Sequence, residues 1–247
     1  DPFNYRQDLF ASAGMPSGPR TWEDVRTAGA KIKKQHGNPV GVGLAQEIDT
    51  GMAMRTIMYS WGSSVQDRDG NLVLNSKQTL EAVKFVKALF EETMTPEVFT
   101  WDASSNNRCI VAGRCSCVLN AISTTREAEN KGMADISQKI QLTKALQGPV
   151  RAIGLEHVMN CYVVWNFAQN KEGAKKFLID YVQNFRQAFL AGQFYDFPCF
   201  SKTVPDLAKL ISNDPKAHPP DKYKVLEDVL DWATNVGYPG YSNAAID

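Results

Sequence analysis

The residues best able to do covalent or metal chemistry in this chain are five cysteines and three histidines. An odd cysteine count leaves at least one thiol unpaired within a monomer. Cys115 and Cys117 lie two apart, on one face of an expected strand over Cys115–Asn120, and read as small buried hydrophobes. No histidine neighbours them and the Cys-x-Cys stands alone, so no metal site is expected. A disulfide is open to these cysteines, but spacing selects no pair. His36 and His218 fall in polar segments and read as solvated, whereas His157 precedes an expected strand and could face a cleft. There is no His-Glu-x-x-His, no Gly-Lys-Ser/Thr phosphate loop and no Gly-x-Ser-x-Gly elbow. Gly41-Val42-Gly43 lacks the third glycine of a dinucleotide fingerprint. Asp67-Arg68-Asp69-Gly70-Asn71 lacks the closing glutamate of a calcium loop and reads as a hairpin turn. Local sequence therefore supplies neither a catalytic set nor a cofactor site. The alternative chemistry is an α/β hydrolase or transferase with a site assembled from distant residues, using a cysteine near Cys115 as nucleophile.

The elements that would position any site alternate between helix and short strand, which makes the class α/β. Thr21 and Asp24 form a capping-box pattern ahead of a helix to His36, with Val25, Ala28 and Ile32 as its apolar stripe and Gly37-Asn38-Pro39 as its stop. Val40–Ala45 reads as a buried strand and Met52–Trp61 as a helix. Ser76 caps a helix to about Glu92, with Leu80, Val83, Val86, Leu89 and Phe90 expected on its buried side. Trp101–Asn107 is a polar loop or helix start, and Ser123–Lys131 a helix. Met159–Phe167 has the β-branched and aromatic content of a strand. Lys171–Phe185 is an amphipathic helix with Ala174, Phe177, Leu178 and Tyr181 on its stripe. Two more helices are expected near Val204–Ser212 and Asp221–Thr234. Lys plus Arg and Asp plus Glu are 27 each, so the net charge is zero, which leaves no electrostatic footprint for nucleic acid. No apolar stretch approaches the roughly 20 residues of a membrane span. The opening Asp1-Pro2-Phe3 carries no leader pattern, as in a mature or truncated piece.

Several segments in order resemble the family 1 extracellular solute-binding proteins, the group that includes maltose-binding protein. They are Asn4-Tyr5-Arg6-Gln7-Asp8-Leu9-Phe10, Ala13-Gly14-Met15 and Pro19-Arg20-Thr21-Trp22-Glu23-Asp24, then Trp61-Gly62-Ser63 before Asp69-Gly70 and Leu74-Asn75-Ser76. Ala112-Gly113-Arg114-Cys115-Ser116 ahead of Asn120, and Ala168-Gln169-Asn170-Lys171-Glu172 ahead of Phe177-Leu178, complete the set. The resemblance implies a type II periplasmic-binding-protein-like fold: two hinged lobes that close on a ligand, here mostly the second lobe with part of the first. It implies a second-lobe segment over 1–133 ending in a hinge strand, a crossover to the first lobe over 134–190 and return helices over 191–247. A piece of this kind is expected to expose apolar surface meant for the rest of the protein.

The implied function is the extracytoplasmic component of an ABC importer, handing a small polar ligand, a sugar foremost, to membrane permease subunits. The implied protein is a monomer, periplasmic or extracellular, in some forms lipid-anchored through a missing N-terminus. It needs no cofactor, metal or nucleic acid and catalyses nothing. Sugar sites combine aromatic faces with planar polar side chains. Four segments would border the cleft by family position: Asp49–Met52, Asn120–Thr125, His157–Asn160 and Tyr238–Tyr241. The candidate ligand contacts are Asp49, Trp101, Asn120, Ser123, His157, Tyr238 and Tyr241. Two family aromatics are replaced here, by Ser123 in the stretch after Asn120 and by Met52, which argues against maltodextrin and for a smaller or differently shaped polar ligand. Trp22, Trp61, Trp165 and Trp232 fit core positions, and Arg126, one turn into its helix, reads as a solvated charge. A protein-interaction module is a third reading.

Overall fold

The computed structural model describes residues 1–67, 69–155, 162–197 and 200–234. Strand β1 (Phe3–Arg6) runs straight into α1 (Gln7–Ser12), and α2 (Trp22–His36), α3 (Ile48–Ser60) and α4 (Lys77–Thr93) follow. A 3-10 turn over Pro96–Phe99 leads to α5 (Ser105–Val111), β2 (Cys117–Leu119), α6 (Ser123–Asn130), α7 (Ala134–Ser137) and β3 (Ile140–Thr143). Beyond lie β4 (Gly154–Leu155), α8 (Lys171–Gln183), α9 (Phe185–Ala191), α10 (Val204–Ser212), a 3-10 segment Lys222–Leu226, α11 (Val229–Trp232) and β5 (Ala233–Thr234).

The local signals work as their chemistry requires. The Thr21 hydroxyl accepts from the Asp24 amide at 2.9 Å, and the Asp24 carboxylate accepts from the Thr21 amide at 2.9 Å. Two orphan donors are thus satisfied at the start of α2. Gly37 ends that helix at φ 74°, a left-handed position that a side chain would strain. Helix α3 begins at Ile48, ahead of the expected Met52, because the Glu47 carboxylate accepts from the amides of Asp49 and Thr50.

β1 is the centre of a three-stranded antiparallel sheet in the order β2-β1-β3. Its register sets Phe3 opposite Leu119 and Thr143, and Tyr5 opposite Cys117 and Gln141. Side chains alternate across a strand, so Phe3, Tyr5, Cys117 and Leu119 share one face. That face packs with α1 to α4 in the largest core, where Trp22 stands edge-on to Phe3 at 6.0 Å. The opposite face carries Asn4, Val118, Ile140 and Leu142. It serves two smaller cores, one around α5 and one built from Ile122, Phe189, Leu207, Ile211, Tyr223 and Leu226. β3, although it falls within the expected crossover segment 134–190, hydrogen-bonds to β1.

Several expected elements differ. Val40–Ala45 is largely buried but, among the described residues, it forms no strand beyond a bridge from Val40 to Cys117. In α4 the buried side is Ala82, Phe85, Val86 and Leu89, while Leu80 and Val83 face outward. Residues 162–167, the described part of the expected Met159–Phe167 strand, form no strand, and Tyr162, Val163, Trp165 and Phe167 are exposed. The core position expected for Trp165 is thereby overturned, at 61% exposure. Helix α8 exists, yet it buries no residue, and Phe177 is 63% exposed. Its apolar stripe has formed without described core to cover it. The expected helix over Asp221–Thr234 is broken into the 3-10 segment, α11 and β5, whose parallel pairing to β4 places Ala233 opposite Gly154.

Candidate functional site

Three segments separated in sequence converge at the end of β2. The first is the turn into α3, where Glu47 caps the helix and Asp49 is buried. The second is the Trp101–Asn107 entry into α5. Here the Arg108 guanidinium, together with Ser105 and Ser104, holds the Asp102 carboxyl well below the usual carboxylate range. Asp102 accepts from the Ser104 amide at 3.0 Å and from Arg108 Nη2 at 2.9 Å, which fixes the turn. The third is the exit from β2 into α6, where Asn4 Nδ2 donates to the Asn120 carbonyl at 2.8 Å and anchors the strand end to β1.

The three segments meet through side chains. Asn106 Nδ2 donates to Asp49 Oδ2 at 2.7 Å, and Asn120 Nδ2 reaches the same oxygen at 3.1 Å. Asn120 Nδ2 also lies 3.0 Å from Asn106 Oδ1 and 2.5 Å from Asn107 Oδ1. Thr124 Oγ1 donates to Asn107 Oδ1 at 2.7 Å, and the Ala121 amide donates to Asn120 Oδ1 at 2.6 Å. A buried carboxylate is tolerated only when donors surround it, and two asparagine amides supply them here. Asn107 and Ser123 are half-buried at the rim, as is Trp101, whose ring packs on two of the cores. The Asn107 amide nitrogen, the Ser123 hydroxyl and the Trp101 indole nitrogen make no hydrogen bond with the described residues. The arrangement is a rigid, amide-rich base with uncommitted donors and one aromatic face at its edge. Such a set recognises hydroxyl groups and C–H-rich ring faces.

Of the candidate contacts, the structure bonds Asp49 directly to Asn120 and sets Ser123 one residue from the bonded Thr124. Trp101 lies at the entry to α5. His157, Tyr238 and Tyr241 lie outside the described residues, as does the segment His157–Asn160. Asn106 and Asn107 are functional candidates that sequence reasoning did not single out, whereas Thr124 falls within the expected bordering segment Asn120–Thr125. The Asn106-Asn107 pair in the first turn of a helix after the Trp101-Asp102 loop is the local feature there, and by itself it does not separate a turn cap from a ligand contact. Met52, standing where a family aromatic was expected, is buried in the main core and presents no face to a ligand.

Two readings are corrected. Arg126 is fully buried, not solvated. Its guanidinium donates to Glu129 Oε2 at 2.7 Å and to Asp214 Oδ2 at 2.5 Å. Glu129 also accepts from Lys222 Nζ at 2.8 Å and from the Tyr223 hydroxyl at 2.7 Å. Burial depresses the Lys222 ammonium, against the attraction of Glu129. The second correction concerns the cysteines. Cys109 and Cys115 form a disulfide with Cα atoms 5.4 Å apart, while Cys117 is a buried free thiol. Burial pushes the Cys117 thiol up to about 12. Reactive cysteines are exposed, low-pKa thiolates, so neither Cys115 nor Cys117 offers the nucleophile of the hydrolase alternative. Among the described residues, no helix is long and apolar enough to cross a membrane.

A binding protein of Brucella abortus (strain 2308) is 27% identical over 176 residues, covering 70% of this chain and 42% of that relative. A sugar transporter from Arthrobacter chlorophenolicus A6, solved with bound laminaribiose, superposes with a TM-score of 0.69 at 22% identity. The match covers 95% of this chain and 57% of that one. The maltose-bound MalE3 of T. maritima superposes with a TM-score of 0.70 at 19% identity, covering 96% of this chain and 60% of that one. This chain thus spans less than two thirds of each. The fold is that of the type II periplasmic binding proteins, as expected, with a mixture of helix and short strand that corresponds to part of the two-lobed architecture. The residues that build the sheet, the Asp49–Asn120 cluster and the buried arginine network's α6 half all fall within 1–192, the span that matches the family profile. The chain belongs to the bacterial extracellular solute-binding protein family.

Proposed function

We propose that this chain carries one wall of a sugar-binding cleft in the extracytoplasmic component of an ABC importer. The observation that carries the reading is the buried Asp49–Asn106–Asn107–Asn120 cluster, whose rim presents the Asn107 amide, the Ser123 hydroxyl and the Trp101 ring. A general acid or base must reach its substrate, and the cluster's one carboxylate, Asp49, is buried with Oδ2 held by two asparagine amides. A binding site needs fixed donors and acceptors, and it offers several. The sugars bound by the structural relatives support a carbohydrate as the ligand. The absence of stacking rings at Met52 and Ser123 favours one or two sugar units over a long maltodextrin. The partner is a pair of membrane permease subunits, and the compartment is the periplasm or cell exterior, with a lipid anchor as one arrangement. The buried disulfide supports an oxidising compartment. Residues His157, Tyr238 and Tyr241 would complete the contacts.

The exposed aromatic surface of residues 162–167 and α8 supports a further part of the same reading. In it, segment 1–133 builds one lobe, 134–190 reaches toward the other and 191–247 returns. The aromatic surface then meets the remaining lobe of a longer protein.

The test is calorimetric titration and thermal shift of the full-length protein with laminaribiose, maltose, D-tagatose and D-mannitol. A ligand at 100 times its Kd stabilises by about 2.7 kcal/mol. Asn107→Ala is expected to weaken binding of the best sugar about tenfold, the loss of one to two hydrogen bonds. Sugars that bind Asn107→Ala and the wild type equally would refute the site, and no shift with any sugar would refute the ligand class.

A further inference from the structure

The Cys109–Cys115 disulfide lies at the bend of a helix–strand hairpin whose open end is the polar cluster. Asn106 and Asn107 sit in the first turn of α5, and Cys109 opens its second turn. Cys115 precedes β2, which ends at Asn120. The bend between them reverses at Gly113, φ 72°, and the Arg114 amide donates to the Cys109 carbonyl at 2.9 Å. α5 has seven residues and no side-chain cap. A helix so short does not hold itself in place. The run that leads to the first segment, the turn into α3, passes beside the disulfide. A side chain at Gly41 would lie 2.8 Å from Cys115 Sγ, and the Gly41 amide donates to the Cys117 carbonyl at 2.8 Å. The chain runs from Gly41 directly to Glu47 and Asp49. One covalent link, 5% and 0% exposed at its two ends, therefore ties α5 to the approach to β2 and lies beside the run that leads on to the turn into α3.

We propose that the Cys109–Cys115 disulfide positions the binding cluster, so that opening it releases α5 from β2 and weakens ligand binding before the protein unfolds. The proposal rests on the ligand-site reading for its binding arm and on local structure alone for its exchange arm.

The experiment compares three forms of the full-length protein: oxidised, reduced and the double variant Cys109→Ala with Cys115→Ala. Dithiothreitol takes the disulfide to two thiols and is itself oxidised to its cyclic disulfide. Amide hydrogen exchange is read across the chain, and laminaribiose is titrated into each form. The expected result is exchange about tenfold faster at residues 106–111 and 118–121, with α2 and α4 unchanged, the signature of a local opening. Laminaribiose affinity falls in parallel by about fivefold to tenfold in both opened forms. Unchanged exchange at 106–111 overturns the proposal. So does exchange that rises equally in α2 and α4, or unfolding of both opened forms, because the disulfide is then a general staple. Faster local exchange with unchanged laminaribiose affinity also overturns it. If laminaribiose does not bind the oxidised protein, the ligand reading loses that sugar, and the exchange arm decides the positioning role by itself.

Discussion

Replacing Glu129 by glutamine should be among the most damaging single substitutions in this protein, although the two side chains have nearly the same shape. The carboxylate accepts from Arg126, Lys222 and Tyr223 and from the His218 amide. Arg126 and Lys222 are both fully buried, and Glu129 and Asp214 balance them. Glutamine removes one negative charge and turns an amide NH2 donor toward one of the two cations. Arg126 keeps Asp214, and Lys222 keeps only the Ser137 carbonyl at 2.9 Å. Breaking a buried pair by removing one partner costs about 3–5 kcal/mol. That is a large part of the 5–15 kcal/mol by which a typical domain is stable. With a urea slope of about 3 kcal/mol/M, the midpoint should fall by roughly 1–1.7 M. The assay is urea unfolding followed by tryptophan fluorescence and circular dichroism. A second variant separates charge from packing: Arg126→Met, Glu129→Leu, Asp214→Asn and Lys222→Met together should recover most of the loss, since replacing all four charges of a buried network by neutral groups is often near neutral. A Glu129→Gln protein within 1 kcal/mol of wild type would refute the argument, because two buried cations cannot lose their shared anion so cheaply.

The Cys117 thiol should impose a pH dependence on stability. Burial raises it from 9.0 to about 12, so the unfolded chain releases that proton first and the stability it contributes is lost as pH climbs from 9 toward 12. The slope from this one group is at most about 1.4 kcal/mol per pH unit. Urea unfolding at pH 8, 9 and 10 should show the stability difference between wild type and Cys117→Ala shrinking as pH rises, and parallel profiles would sink the idea. At the start of α2, Thr21→Ala should cost about 1 kcal/mol, because it leaves the Asp24 amide without its acceptor, while Thr21→Ser should sit within a few tenths of wild type. A midpoint for Thr21→Ala that matches wild type would show that the cap is dispensable.

What sequence made legible, and what it hid, divides along the range of the interaction. The capping box at Thr21 and the left-handed stop at Gly37 depend on residues three or four apart, and both stand as expected. The sign of a buried charge does not work that way. Arg126 reads as one more exposed arginine until Asp214 and Lys222, 88 and 96 positions later, are brought against it by the cores behind β3. The disulfide was hidden for a related reason. Cys115 lies six positions after Cys109, a spacing that a helix ending at Val111 followed by a left-handed glycine turns into contact. In α4 both Leu80–Val83 and Ala82–Phe85 belong to plausible apolar stripes, and packing against α2 and α3 decides between them. Helix α8 shows the limit most plainly. Its 3.6-residue periodicity predicted the helix correctly but said nothing of what would cover Phe177. The cluster around Asp49 obeys the same logic: Asn120 could be chosen because the family resemblance puts it just after the hinge strand, beside the cleft. Asn106 and Asn107 could not, because only tertiary contact distinguishes an asparagine that caps a turn from one that neutralises a buried carboxylate.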